Sequence, residues 1–239
     1  MQAVGGGKES STPRPGVLDF LSLSPAEQQS RYIANLKNAI LQRPDDSELK
    51  MRLLGVYLPQ GNIDEARPLL DEMRQVTTDA GILARCIRLL VEAGFYHEAL
   101  PFVDAAIRQG SARDETYLDQ ALAVLHTTGA EKALTTLDAL PSSLRTGDYH
   151  LLRAQILDSL GRFEDAVAAL NEALHTAPTR ADLYFQACSF LIKHRRFEES
   201  LELARQAGNL DSESFALSWL AECCVELGDL EAALRHGSA

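Results

Sequence analysis

Apolar residues along this chain recur at spacings of three and four, in stretches that break at short polar turns. Leu151, Leu152, Ala154, Ile156, Leu157 and Leu160 precede Gly161, and Ala166, Val167, Leu170, Ala173 and Leu174 follow it. Such spacing sets the apolar side chains on one face of an α-helix. Glycine suits the break because it takes positive φ at a helix C-terminus. An acidic residue follows soon after, as at Asp64, Glu164 and Asp229. It suits the start of the next helix, where free N–H groups and the helix dipole favour negative charge. The unit predicted is helix, tight turn, helix.

The break recurs six times. It reads Gly-Asn-Ile-Asp-Glu-Ala from Gly61, Gly-Phe-Tyr-His-Glu-Ala from Gly94 and Thr-Gly-Ala-Glu-Lys-Ala from Thr128. It returns as Gly-Arg-Phe-Glu-Asp-Ala from Gly161, Arg-Arg-Phe-Glu-Glu-Ser from Arg195 and Gly-Asp-Leu-Glu-Ala-Ala from Gly228. The steps between starts are 33, 34, 33, 34 and 33 residues. A fixed period of this size marks stacked structural repeats, which carry binding surfaces more often than catalytic pockets. A small residue closes each break, at Ala66, Ala99, Ala133, Ala166, Ser200 and Ala233. It would let the paired helices approach closely.

The first helix of each repeat presents Lys50, Leu53, Leu54, Tyr57; Leu83, Cys86, Ile87, Leu90; and Tyr117, Gln120, Ala121, Val124. The later ones present His150, Arg153, Ala154, Leu157; Tyr184, Ala187, Cys188, Leu191; and Leu217, Leu220, Ala221, Cys224. The second helices pair Ala66 with Leu70, Ala99 with Val103, Ala133 with Leu137, Ala166 with Leu170 and Ser200 with Ala204, and prolines fall at Pro44 and Pro178. This resembles the tetratricopeptide repeat family, whose pattern is Trp-x2-Leu-Gly-x2-Tyr, then Ala-x3-Phe, then Pro. The resemblance spans roughly residues 24–237. Arg153 and Gln120 depart from it, standing where the family prefers apolar residues, and repeat three shifts its glycine by one to Gly129. The resemblance implies an all-α protein, a right-handed α-solenoid of antiparallel helix pairs.

The segments divide as a Gly, Ser, Thr and Pro rich tail over 1–16, expected to be disordered, an N-terminal segment with a capping helix over 17–46, and the solenoid over 47–239. Val17, Leu18, Phe20, Leu21 and Leu23 form an apolar cluster that would pack on the first helix or serve as a docking peptide. Ser24-Pro25-Ala26-Glu27 combines a cap, a proline at the first helical position and a glutamate three residues after the cap. A helix should start there and run to about Arg43. The sixth repeat's second helix has barely begun at Leu230 when the chain reaches Ala239. A fragment of a longer protein is the expectation, with an end covered by a partner as the alternative.

A formal net charge of −11 disfavours non-specific nucleic-acid binding and anionic lipid. No apolar run approaches the length of a membrane-spanning helix, and Met1–Lys8 carries no signal-type apolar core. Cys86, Cys188, Cys223 and Cys224 form no Cys-x2-Cys pair, which argues for packing rather than zinc. Unpaired thiols weakly favour a reducing, cytoplasmic compartment, with an exported form that has lost its signal as the alternative. Gly5-Gly6-Gly7-Lys8 is followed by Glu9 and fails as a phosphate loop. No His-Glu-x2-His or Gly-x-Ser-x-Gly motif occurs, so no enzyme activity, metal or cofactor is expected. Lys193-His194-Arg195-Arg196 is the one dense basic run, a solvated turn or a contact for an acidic partner segment.

The resemblance also implies where binding would sit, because first helices in that family line a concave groove. Its register places Met51, Arg85, Arg88, Leu118, Leu122, Leu151, Gln155, Phe185, Ser189 and Ile192 there, with Ser218 and Glu222 beyond them. Leu118, Leu122, Leu151, Phe185 and Ile192 are large apolar groups that the solenoid's own core does not need, and exposed apolar patches mark interaction sites. Members that bind chaperones use a Lys/Asn clamp for a terminal carboxylate; here those places hold Met51, Gly55, Arg85 and Leu118. The expected function is a protein-interaction scaffold holding a partner peptide or protein segment in the groove. The alternative is a non-catalytic repeat region of a longer enzyme, such as a transferase, whose catalytic module lies outside this chain. Arg85 and Arg88 would suit an amphipathic, mildly acidic peptide. Oligomeric state is left open.

Overall fold

The computed structural model describes residues 23–76, 79–208 and 225. The tail over 1–16, the apolar residues Val17–Leu21 and the sixth repeat apart from Val225, including Ser218, Glu222, Cys223 and Cys224, lie outside the described residues. Eleven α-helices and no strand occur among the described residues: α1 (Pro25–Gln42), α2 (Ser47–Tyr57), α3 (Ile63–Val76), α4 (Ala80–Glu92), α5 (Tyr96–Arg108), α6 (Asp114–Thr128), α7 (Ala130–Asp138), α8 (Gly147–Ser159), α9 (Phe163–Thr176), α10 (Ala181–Lys193) and α11 (Phe197–Gly208). The chain forms two compact units, Met1–Ile82 and Leu83–Ala239, with the boundary inside α4.

In the first unit α1 starts where its motif predicts. The Glu27 N–H donates to Ser24 Oγ at 3.3 Å, and the Ser24 N–H donates to Glu27 Oε2 at 2.9 Å. Two otherwise orphaned helix-end donors are thereby satisfied. Helix α2 is flanked by α1 and α3. It buries Met51, Leu53, Leu54 and Tyr57, and also Lys50, whose Nζ reaches Glu72 Oε2 on α3 at 2.8 Å.

In the second unit α6 with α7, α8 with α9, and α10 with α11 form packed pairs. The core runs from Ala121 through Leu157 and Leu170 to Ala187. Ala66, Ala99, Ala133, Ala166 and Ser200 are each 0% exposed, which is the close approach their spacing predicts. Ser200 keeps a hydroxyl in that tight place because its Oγ donates to the Cys188 carbonyl at 3.3 Å.

The helix pairs turn on one recurring geometry. At Gly161 the N–H donates to the Asp158 carbonyl at 2.9 Å, and the next N–H, of Arg162, donates to the Leu157 carbonyl at 2.9 Å. The same paired bonds recur around Gly61, Gly94 and Arg195. The residue between them must be left-handed. Gly161 has φ 70°, and Arg195, which stands where glycine is expected, still adopts φ 60°. Repeat three differs. Gly129 takes φ 108° and ψ 167°, a region open essentially to glycine alone, and α7 is only 9 residues long.

Candidate functional site

Helices α6, α8 and α10 are neighbours in the second unit, α8 touching both of the others. Each carries a stripe of residues spaced three and four apart, and hence on one face. On α6 it is Glu115, Leu118, Asp119 and Leu122; on α8, Asp148, Leu151 and Gln155; on α10, Asp182, Phe185, Ser189 and Ile192. Leu118, Leu122 and Leu151 are half-buried and rest on the core cluster, while Phe185 is 42% exposed. Gln155 and Ser189 are exposed and Ile192 is half-buried. Seven of the ten positions read from the sequence fall on these three stripes, and Arg88 pairs with Glu115 at the end of the first.

Met51 does not. It is 2% exposed, buried in the first unit because α2 is flanked on both sides, so it offers no surface to a partner. Arg85 is exposed on α4 beside the buried Cys86.

The first turns of these helices hold a row of acids. Arg88 Nη2 donates to Glu115 Oε2 at 2.7 Å. Arg180 Nη1 donates to Asp148 Oδ2 at 2.8 Å while its Nε donates to Asp182 Oδ1 at 3.1 Å. The hydrogen bond from Arg180 holds the Asp182 carboxyl below the usual carboxylate range. Asp119 goes the other way. Burial pushes its carboxyl up, Arg88 opposes that, and the negative charges of Glu115 and Glu92 reinforce it. Arg88 and Arg180 thus pair with Glu115, Asp148 and Asp182, and Asp119 and Glu92 add further carboxyl groups beside Arg88. Arg88, read from the sequence as a contact for a partner's carboxylate, is paired with Glu115 through one nitrogen at an exposed place. Sequence reading passed over Glu115 and Asp119, although their spacing from Leu118 and Leu122 puts them on the same face.

Other candidates resolve into structure. Cys86 and Cys188 are each 1% exposed, and burial pushes the Cys86 thiol up to about 12, so it stays an unreactive thiol near neutral pH. In the basic run, Lys193 Nζ reaches Asp158 Oδ2 at 2.7 Å, and His194 Nε2 lies 2.8 Å from Asp158 Oδ1. Arg196 binds Glu199 and also reaches Glu164 at 3.3 Å. These groups tie repeat five to repeat four, while Arg195 and Lys193 stay exposed. Among the described residues no three His, Cys, Asp or Glu side chains are placed to hold a metal ion, and no helix is long and apolar enough to cross a membrane.

Two segments match tetratricopeptide repeat family models, residues 121–182 and 214–236. No curated protein matches the chain at the level of sequence. Solved structures share its fold. The MamA fragment from residue 41 onward of Desulfovibrio magneticus RS-1 superposes with TM-score 0.52 at 19% identity, covering 68% of this chain and 93% of that one. PilW, described as a widely conserved type IV pilus biogenesis factor, gives TM-score 0.59 at 12% identity, covering 81% and 91%. A further crystal structure of MamA protein gives 0.51 at 13%, covering 66% and 88%. At such identities the likeness speaks for the fold alone. With the repeat matches, the buried small residues at each helix crossing and the recurring left-handed turn, the chain is seen to carry tetratricopeptide repeats.

Proposed function

We propose that this protein is an interaction scaffold that holds a partner segment along the faces of α6, α8 and α10. The observation that carries this reading is Phe185, a large aromatic left 42% exposed in register with three half-buried leucines. Water gains nothing by covering these groups, and a partner that does so gains up to about 1.5–3 kcal/mol for each side chain fully covered. The acidic first turns set the partner's charge. It is an amphipathic segment with Lys or Arg along one edge, set to face Glu92, Glu115 and Asp119. This replaces the acidic peptide expected from the sequence. Complementary charge chiefly sets orientation and encounter rate, while the apolar row sets affinity.

The test is quantitative affinity capture from source lysate with wild type, Phe185→Ala, Asp119→Asn and Asn171→Ala. Partners should be depleted by the first two variants and retained by the third, which alters an exposed residue on α9. Elution should rise with salt, because the charged contacts are screened. Capture unchanged by Phe185→Ala would remove the apolar row from the binding site.

A further inference from the structure

A pocket of about 420 Å3 opens among the end of α7, the segment that follows it, α8 and α9. It lies within the second unit and does not involve the apolar row. Its origin is the irregular third repeat. Helix α7 has 9 residues where α5 has 13 and α9 has 14. The missing turn leaves a gap at Asp138 that polar side chains line instead of apolar ones. Arg153, at a place where the family prefers an apolar residue, is half-buried there.

The charges in this gap are only partly matched. Asp138 is occupied: Arg153 Nε donates to its Oδ1 at 3.0 Å, and the Tyr149 hydroxyl donates to the same oxygen at 3.1 Å. Arg145 lies 5.8 Å over the Tyr149 ring, and among the described residues no ion pair joins it to a carboxylate. Glu172, on α9, faces the His150 imidazole, which burial holds below its ordinary range, and no ion pair joins it to a Lys or Arg among the described residues. The two line the same pocket without pairing with each other. Ala168 and Ala169 supply a small apolar wall. A phosphate or other dianion would meet Glu172 and Asp138; a simple cation would meet Arg145 and Arg153; a neutral apolar ligand would desolvate all of them without compensation. What fits is one negative and one positive charge a few ångströms apart, on a body small enough to rest against two alanines.

We propose that this pocket binds a small zwitterion of the α-amino-acid class, its carboxylate between Arg145 and Arg153 and its ammonium on Glu172. Guanidinium groups match a carboxylate's geometry, and charge-assisted bonds of this kind are stronger than neutral ones. The volume falls within the range of small-molecule sites. The inference stands apart from the partner-binding reading, since the two share no residue.

The experiment is an NMR titration of the purified protein, following the ring resonances of His150, which lines the pocket edge-on to Tyr149 at 5.0 Å. His150→Gln assigns those resonances. Glycine and L-alanine are the probes. Alanine amide lacks the carboxylate, N-acetylalanine lacks the ammonium, and sodium chloride controls for ionic strength. Glycine and alanine should give a saturable shift, each blocked form binding about tenfold more weakly, as expected for loss of one charge-assisted contact. Arg145→Gln and Glu172→Gln, both changes of exposed side chains, should weaken the amino acids about tenfold with unchanged far-ultraviolet dichroism. The proposal is overturned if no saturable shift appears, if N-acetylalanine matches alanine, or if both variants bind as wild type.

Discussion

Ala166→Leu tests the register on which every later assignment depends. Ala166 is 0% exposed on α9, which packs along α8, and it belongs to a cluster with Ala154 at 1%, Ala169 at 3% and Leu170 at 4%. The added methyl and methylene groups would bring about 0.8 kcal/mol each if they could be buried without strain. They cannot, because the alanines on both sides mark a place where backbones run close. Overpacking should dominate and cost about 1–3 kcal/mol. Asn171→Leu makes a comparable enlargement at an exposed place on the same helix and should stay within about 0.5 kcal/mol. The assay is urea denaturation followed by circular dichroism, reading the midpoint at unchanged slope. A thermal melt should fall by about 2–4 °C for each kcal/mol. If the two variants melt alike, Ala166 does not sit at the helix crossing, and the stripe assignments on α6, α8 and α10 fall with it.

Three further outcomes follow from particular residues. Arg195→Gly should raise stability slightly, since relief of a left-handed non-glycine worth about 1–2 kcal/mol outweighs the greater freedom of glycine in the unfolded chain, about 0.4–1 kcal/mol; Gly161→Ala should lower it by a similar margin, read from the same denaturation curves. Gly129→Ala should cost more than Gly161→Ala, because φ 108° with ψ 167° is outside the left-handed well as well. Asp119→Asn should stabilise at neutral pH. A folded-state carboxyl raised above its unfolded value lets the native state bind more protons, so Asp119 costs stability progressively as pH rises above the ordinary carboxylate range. The gain from Asn should therefore vanish when melts are repeated below about pH 4, and a gain independent of pH would contradict the assignment.

What could be read before the structure was local or periodic. The capping box at Ser24 and Glu27 needs only four residues, and the buried row from Ala66 to Ser200 needs only the period. The left-handed turn at Arg195 could be placed because its neighbours repeat the pattern around Gly161. What escaped depends on neighbours far along the chain. Arg88 looked available, but Glu115 lies 27 residues on and meets it once α4 and α6 are placed. Met51 looked like groove surface until α1 proved to flank α2 on one side with α3 on the other. Arg153 looked like a flaw in a core position; its partner Asp138 becomes available only because α7 stops short.

The central claim, that partners lie across the first helices, is tested most directly by placing a photo-crosslinking amino acid at single exposed sites and irradiating the protein in source lysate. Ser189 on α10 and Gln155 on α8 lie in the apolar row, and Asn171 on α9 and Lys132 on α7 lie on second helices. Each is exposed, so the protein should fold alike with any of them replaced. We expect the same partner adducts from positions 155 and 189, lost when Phe185→Ala is added, and none from 132 or 171. Adducts confined to 132 and 171, or adducts at 189 that persist without the Phe185 ring, would contradict the account.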